Sequence, residues 1–232
     1  MARILLGMLL LTLIACSQGV TNSEGETVRV ERLPADAPVE QRVAQLEKLS
    51  YRVTYEMTMQ SDEEPVMLEV TQYVDSAGNM RQDGEMRGER VRQYVLDGKG
   101  YACLSSGSRW ACSSASADMQ DVGSAVRQAS QQYQLPPAGA RDLAGTEAAC
   151  YALTTGIAEV EYCFSPEGVP LLVSTAAGSF LMEMRATSYS LGVRPEDFEL
   201  PAQPSGSFED EESVSVSVEP NCDDWDADGC VD

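Results

Sequence analysis

Tyr51-Arg52-Val53-Thr54-Tyr55-Glu56-Met57-Thr58-Met59-Gln60 alternates without a break, with apolar side chains at the odd positions and polar ones at the even positions. A period of two sends successive side chains to opposite faces of an extended chain, so this stretch reads as a half-buried β-strand with one dry face and one wet one. Immediately upstream the period changes. Val39, Val43, Leu46 and Leu49 fall on one face of a helix over residues 38–49, with Asp36 placed to cap it and Pro38 in its first turn.

Downstream, short alternating runs continue at 66–74, 79–87, 90–96, 101–106 and 109–114, separated by turn signals such as Ser76-Ala77-Gly78-Asn79, Asp97-Gly98-Lys99-Gly100 and Gly107-Ser108. A second helix is expected over about 117–133, with Met119, Val122, Val126, Ala129 and Tyr133 on its apolar face, ended by Leu135-Pro136-Pro137-Ala138-Gly139. Strands resume at 147–155, 158–164, 169–176 and 179–189, and residues 193–201 read as a closing segment. A short strand is also expected at Val28-Arg29-Val30. Connections this short force antiparallel neighbours. Helix, strands, helix, strands is an α+β order. A curved antiparallel sheet forming an unclosed β-barrel, with two helices covering its concave face, buries the alternating apolar side chains.

The cysteines sharpen this picture. If Gly107-Ser108 and Gly156-Ile157 are two-residue type II′ hairpin loops, Cys103 faces Cys112 and Cys150 faces Cys163. Both pairs fall in the narrow, non-hydrogen-bonded class, whose Cα atoms lie about 4.5 Å apart, within disulfide range. Cys222 and Cys230 remain to close a loop in the tail.

Composition limits the function. The chain carries 16 Lys+Arg against 37 Asp+Glu, a formal net charge of −21. Such a surface repels nucleic acid and gives no polybasic grip on anionic lipid. There is no histidine, the usual general base and a common metal ligand. With these six cysteines paired, Cys16 is the one left of seven, and no P-loop, G-x-G-x-x-G or G-x-S-x-G occurs. Asp83 and Glu85 share a strand face, but nothing in their surroundings separates them from solvent-facing acids. The expectation is a protein that is not an enzyme.

Two surfaces are candidates for binding. Tyr51, Val53, Tyr55, Met57 and Met59 on the first long strand, and Phe180, Met182 and Met184 on the last, form an apolar face that either lines a ligand pocket or fills a core. Methionine is pliant and polarizable, and suits a surface that repacks around variable chains. In the tail, Asp224, Asp226 and Asp228 of Asp224-Trp225-Asp226-Ala227-Asp228-Gly229 match the first half of a calcium loop, without a twelfth-position Glu. The bland alternative there is a solvated acidic segment: residues 201–232 hold ten acidic side chains and no Lys or Arg, and read as largely disordered, with 213–218 as an optional edge strand.

The first residues carry a resemblance. Arg3 is the only charge before residue 24, and the apolar run that follows is too short to span a bilayer, so it reads as an export signal. Its end, Leu13-Ile14-Ala15-Cys16, resembles a bacterial lipobox. The resemblance implies a signal peptide over 1–15, acyl chains on Cys16, and a tether over 16–37. It places the protein in the cell envelope, on the non-cytoplasmic side. Ser17, where Asp commonly retains lipoproteins in the inner membrane, points to the outer membrane of an organism that has one. More than one acyl chain gives stable anchoring.

The helix leading into an alternating strand, the midway helix, Cys163-Phe164-Ser165-Pro166-Glu167-Gly168-Val169-Pro170-Leu171 and Asp197-Phe198-Glu199-Leu200-Pro201 together resemble the lipoprotein-carrier class, which includes LolA/LolB-like carriers and mycobacterial surface lipoproteins. The resemblance covers about residues 38–201 and leaves 202–232 as the acidic tail. It implies a half-barrel with an apolar cavity for acyl chains and carries over no catalytic residue. The expected function is non-catalytic binding of a lipid or lipoprotein acyl chain between sheet and helices. The alternative is a cell-surface scaffold or adhesion module with a filled core and a cation-binding tail. No protein partner is identified by the sequence.

Overall fold

The computed structural model describes residues 19–21, 27–61, 64–117 and 122–207. The lipobox with Cys16, the helix residue Met119, Cys222 and Cys230, the Asp224, Asp226 and Asp228 motif and the 213–218 segment lie outside them.

Twelve strands form one continuous open sheet. A short hairpin, β1 (Gly19–Thr21) with β2 (Thr27–Arg29), stands apart and overlaps the small strand expected at 28–30. After helix α1 (Val39–Leu46) comes a meander: β3 (Tyr51–Gln60), β4 (Val66–Val74), β5 (Met80–Met86), β6 (Glu89–Leu96), β7 (Lys99–Ser106) and β8 (Arg109–Ala115). Helix α2 (Val122–Gln132) leads to a second meander: β9 (Pro137–Leu143), β10 (Thr146–Thr154), β11 (Glu159–Phe164), β12 (Pro170–Ala177) and β13 (Phe180–Leu191). A 3-10 turn at Pro195–Phe198 and a last strand, β14 (Pro204–Ser207), follow. The two meanders are joined by antiparallel pairing of β13 with β3, so the alternating strand that decided the fold lies inside the sheet. The edges are β14 and β9, and the barrel stays open.

Both hairpin registers match expectation. Ser106 faces Arg109 and Cys103 faces Cys112; Thr154 faces Glu159 and Cys150 faces Cys163. Both disulfides are formed, with Cα separations of 4.1 and 4.0 Å. The turns that set these registers differ. Gly107 takes φ +62° and Ser108 does not enter the left-handed region, as a type II′ loop requires. Gly156 has no positive φ, so its loop is not type II′. Instead the Thr155 hydroxyl accepts from the Ala158 N–H at 3.0 Å, while the Thr155 N–H donates to the Ala158 carbonyl at 2.8 Å. A side-chain-closed turn gives the same register without glycine's special conformation.

Helix α1 is shorter than expected and is not capped by Asp36. Its N-cap is Pro38, with no side-chain cap bond, which leaves Asp36 two residues outside the reach of a cap. Val39, Val43 and Leu46 are buried as the periodicity requires, and so is Arg42, at 1% exposure. Among the described residues its guanidinium is held without a carboxylate: Nε donates to the Tyr151 hydroxyl (2.6 Å), Nη1 to the Ser165 carbonyl (3.2 Å) and Nη2 to the Pro34 carbonyl (2.7 Å), with the group 5.8 Å from the Tyr151 ring centre. Tyr151 in turn donates to the Ala37 carbonyl. Arg42 therefore fastens the helix entry to the second meander. In α2, Val122 and Val126 are buried, but Tyr133 lies past the helix end and is half-exposed.

Two strands escaped the pattern. β9 lies in the stretch read as a helix stop; six of its seven residues are exposed, so it shows no alternation, and an edge position tolerates Pro137. β14 lies in the stretch read as acidic tail. It pairs parallel with β8, Pro204 beside Cys112 and Ser207 beside Ser114. Residues 193–203 reach it as a strap over the face away from the helices. Arg81 Nη1 donates to the Asp197 carbonyl at 2.9 Å, and Leu200 and Ala202 pack on Tyr94 and the Cys103–Cys112 pair. Among the described residues, no helix is long and apolar enough to cross a membrane.

Candidate functional site

Because pairing is continuous from β10 to β4, the register reads out rows of side chains across the helix-bearing face. One row runs Ala186, Tyr55, Val70. The next runs Tyr162, Val173, Met184, Met57, Leu68. The outermost runs Val160, Thr175, Met182, Met59, Val66. Phe180 stands beyond it, opposite Ala177.

Burial divides the eight candidate lining residues into two groups. Tyr51, Val53 and Tyr55 are 0–1% exposed and belong to the main core with Leu46, Leu49, Val126 and Phe164. Tyr55 also donates its hydroxyl proton to the Pro170 carbonyl at 2.9 Å, so its polar tip is satisfied where it is buried. These three fill the core beneath the helices. Met57, Met59, Met182 and Met184 are half-buried and Phe180 is 43% exposed. They form one contiguous apolar strip where the two meanders meet, at the border of the main core, against which Met184 packs. Val66 and Met67, at 49% and 61% exposure, extend the strip and its rim.

The change from filled to open follows from where the helices pack. Helices α1 and α2 bring Leu46 and Val126 into one core with Tyr51, Val53 and Tyr55, and beyond these Met57 and Met59 on β3 are only half-buried. An open apolar strip on a sheet can take an apolar chain laid along it, and four thioethers let it adapt. The strip holds no titratable group of its own and offers no acid–base chemistry.

The other candidates fall elsewhere. Asp83 lies on the opposite face, bound to Arg81 and 3.6 Å from Arg92, and is occupied as an ion-pair partner. Glu85 on the same strand is exposed. By register alternation both disulfides also lie on that outer face, Cys103 in the row of Arg92 and Cys163 in the row of Leu172 and Arg185. Sequence reasoning missed Arg42. Its signal was position: three residues after Val39, it shares the helix face that also carries Val43 and Leu46.

No family model matches the chain, and no curated protein matches it. Similar solved structures include the Pseudomonas aeruginosa MucA/MucB complex, at 19% identity and a TM-score of 0.46, over 70% of this chain and 59% of that one. LprF from Mycobacterium bovis is similar at 11% identity and a TM-score of 0.46, over 72% of this chain and 100% of that one. A LolA superfamily protein from Nitrosomonas europaea is similar at 9% identity and a TM-score of 0.38, over 71% of this chain and 98% of that one. The chain thus spans 59% of the length of the chain it matches in the MucA/MucB complex.

Proposed function

We propose that this is an exported, lipid-anchored protein that binds an apolar ligand, a lipid or lipoprotein acyl chain, without catalysis. The observation that carries the reading is the open strip of Met57, Met59, Met182, Met184 and Phe180, contiguous across β3 and β13 and bordered by Val66 and Leu68. Anchoring through Cys16 and residence on the non-cytoplasmic side of the envelope belong to the same reading and rest on the lipobox. A permanent anchor suits an acceptor or sensor rather than a shuttling carrier.

The geometry bears on the ligand class. A buried methylene contributes about 0.8 kcal/mol. On an open strip roughly half of each methylene is covered, so a chain of about ten methylenes gains about 4 kcal/mol, equivalent to a Kd near ~1 mM. Two chains side by side reach about 8 kcal/mol and the micromolar range. The strip therefore favours diacyl over single-chain ligands.

A second reading has its own support. Tyr51, Val53 and Tyr55 are wholly buried, as expected of a scaffold or adhesion module with a filled core. In that reading the acidic tail meets cations, with Asp224, Asp226 and Asp228 as calcium ligands pre-arranged by a Cys222–Cys230 bridge. Calcium titration of the full chain against one ending at residue 207 tests that part.

Native mass spectrometry of the exported protein separates the two readings. Lipid adducts that survive gentle ionisation and are lost on Met57→Gln support acyl binding. A bare mass after exposure to diacyl lipid refutes it and leaves the scaffold.

A further inference from the structure

At the other end of β3, where the strands end, lies a groove of about 950 Å³, lined from both faces of the sheet: Arg52 and Ser190 belong to the outer face, Tyr189 and Leu191 to the core face. Arg52 and Tyr73 form part of its floor, Arg194 and Asp197 its strap wall, and Arg32 and Glu167 the opposite side. Arg52 is about 24 Å along the strand from Met59, so the groove is separate from the methionine strip.

Its charge is opposite to that of the chain as a whole. Both acids are already committed on both oxygens. Glu167 accepts from Arg32 Nε at 2.9 Å and from the Tyr189 hydroxyl at 3.0 Å. Asp197 accepts from the Arg194 backbone N–H at 2.9 Å and from its Nη2 at 3.1 Å. Burial opposes ionisation of Asp197, but the Arg194 N–H groups and the charges of Arg194 and Arg81 outweigh it and hold its carboxyl below the usual range. It therefore stays anionic, with one donor on each oxygen. Burial first, and then the Glu167 charge, push the Tyr189 hydroxyl up, so it remains a proton donor to Glu167.

The donors are in excess. Arg32 spends Nε and Arg194 spends Nη2 on these acids, and their side chains, which line the groove, are 66% and 76% exposed. Arg52 lies 5.2 Å from the Tyr73 ring centre and, among the described residues, has no carboxylate within ion-pair distance. Three guanidinium groups against two carboxylates, each already ion-paired, leave one net positive charge in a chain of net −21. A carboxylate offers two coplanar oxygens, whereas a phosphate ester presents oxygens in several directions and can accept from several guanidinium groups at once.

We propose that this groove is an anion site for a phosphate ester, with Arg52 as its central charge and Arg32 and Arg194 closing on the ligand from either side. The ester comes from a lipid headgroup or from a soluble phosphate, and the two sources are separable by experiment.

The test is isothermal titration of the full chain with two probes: glycerol 1-phosphate, and dihexanoyl phosphatidylglycerol kept monomeric. Binding of either probe, weakened about tenfold or more by Arg52→Gln with an unchanged melting curve, supports the site. Equal affinity for the two probes assigns a soluble ester, and tighter binding of the lipid assigns a headgroup. To keep the methionine strip out of the comparison, the lipid is also titrated into Met57→Gln, where the Arg52-dependent binding is expected to persist. Failure of both probes to bind, or affinity for both unchanged by Arg52→Gln, overturns the proposal. If Arg52→Gln lowers the melting temperature, Arg52→Lys replaces it; that variant keeps the charge and is expected to retain part of the affinity.

Discussion

Replacing Arg42 by methionine keeps the aliphatic stem in the core but removes the guanidinium. The Ser165 and Pro34 carbonyls and the Tyr151 hydroxyl then lose their donors at a site only 1% exposed. Each hydrogen bond to a charged group contributes about 1.5–3 kcal/mol. Against three such losses stands the relief of no longer burying a cation, which is worth several kcal/mol. The net expectation for Arg42→Met is a loss of about 3 kcal/mol, or roughly 6–12 °C in melting temperature for a domain of this size. Arg42→Lys is expected to lose a similar amount. One ammonium cannot reach Pro34 on one side and Tyr151 with Ser165 on the other, as the planar fork does. The assay is thermal and urea unfolding followed by circular dichroism, with the near-ultraviolet signal reporting the packing of the aromatic side chains together. An Arg42→Met protein as stable as the parent would refute the assignment of Arg42 as the tie between helix entry and second meander. So would an Arg42→Lys protein with full stability.

Four further outcomes are expected. Replacing Cys150 and Cys163 together by alanine removes a bridge spanning 13 residues and costs about 3 kcal/mol by chain entropy, seen as a lower urea midpoint. Gly100→Ala places a Cβ 2.3 Å from the Ser116 carbonyl oxygen and 2.6 Å from that of Ala115, both backbone; it is expected to destabilise by about 1–3 kcal/mol in the same assay. Because its carboxyl is held below the usual range, Asp197 contributes stability that is full above the ordinary aspartate value and fades as pH falls below about 4. The stability gap between parent and Asp197→Asn should therefore be present at neutral pH and vanish in acid, in paired urea titrations. Met184→Gln at the half-buried strip should change stability by less than about 1.5 kcal/mol while lowering lipid uptake, whereas Tyr55→Ala in the filled core should cost about 3–5 kcal/mol.

By itself the sequence determined what depends on local periodicity and turn chemistry. The alternation of 51–60 is a strand because every second side chain must leave water, and the spacing of cysteines about two short loops placed both disulfides. That argument was robust to the kind of turn: Gly156 does not take the expected conformation, yet Thr155 closes a loop of the same length. The apolar face of β3 was legible as well. Which part of it is core and which is half-buried strip was not, because that boundary is set by which rows the helices and the second meander pack against.

Tertiary structure alone decided the rest. β9 and β14 carry no alternation, since an edge strand exposes most of its side chains and owes its shape to a neighbour's backbone. Arg42 owes its buried role to Tyr151, more than a hundred residues away, which folding brings against it. The groove has the same origin. Arg32, Arg52 and Arg194 are scattered through an acidic chain, and folding gathers them where long-range pairing places the ends of β3, the strap and the Glu167 turn together. Periodicity reports which face of a segment is dry; only the packed chain fixes which charges end up beside one another, because that depends on contacts between residues far apart in sequence.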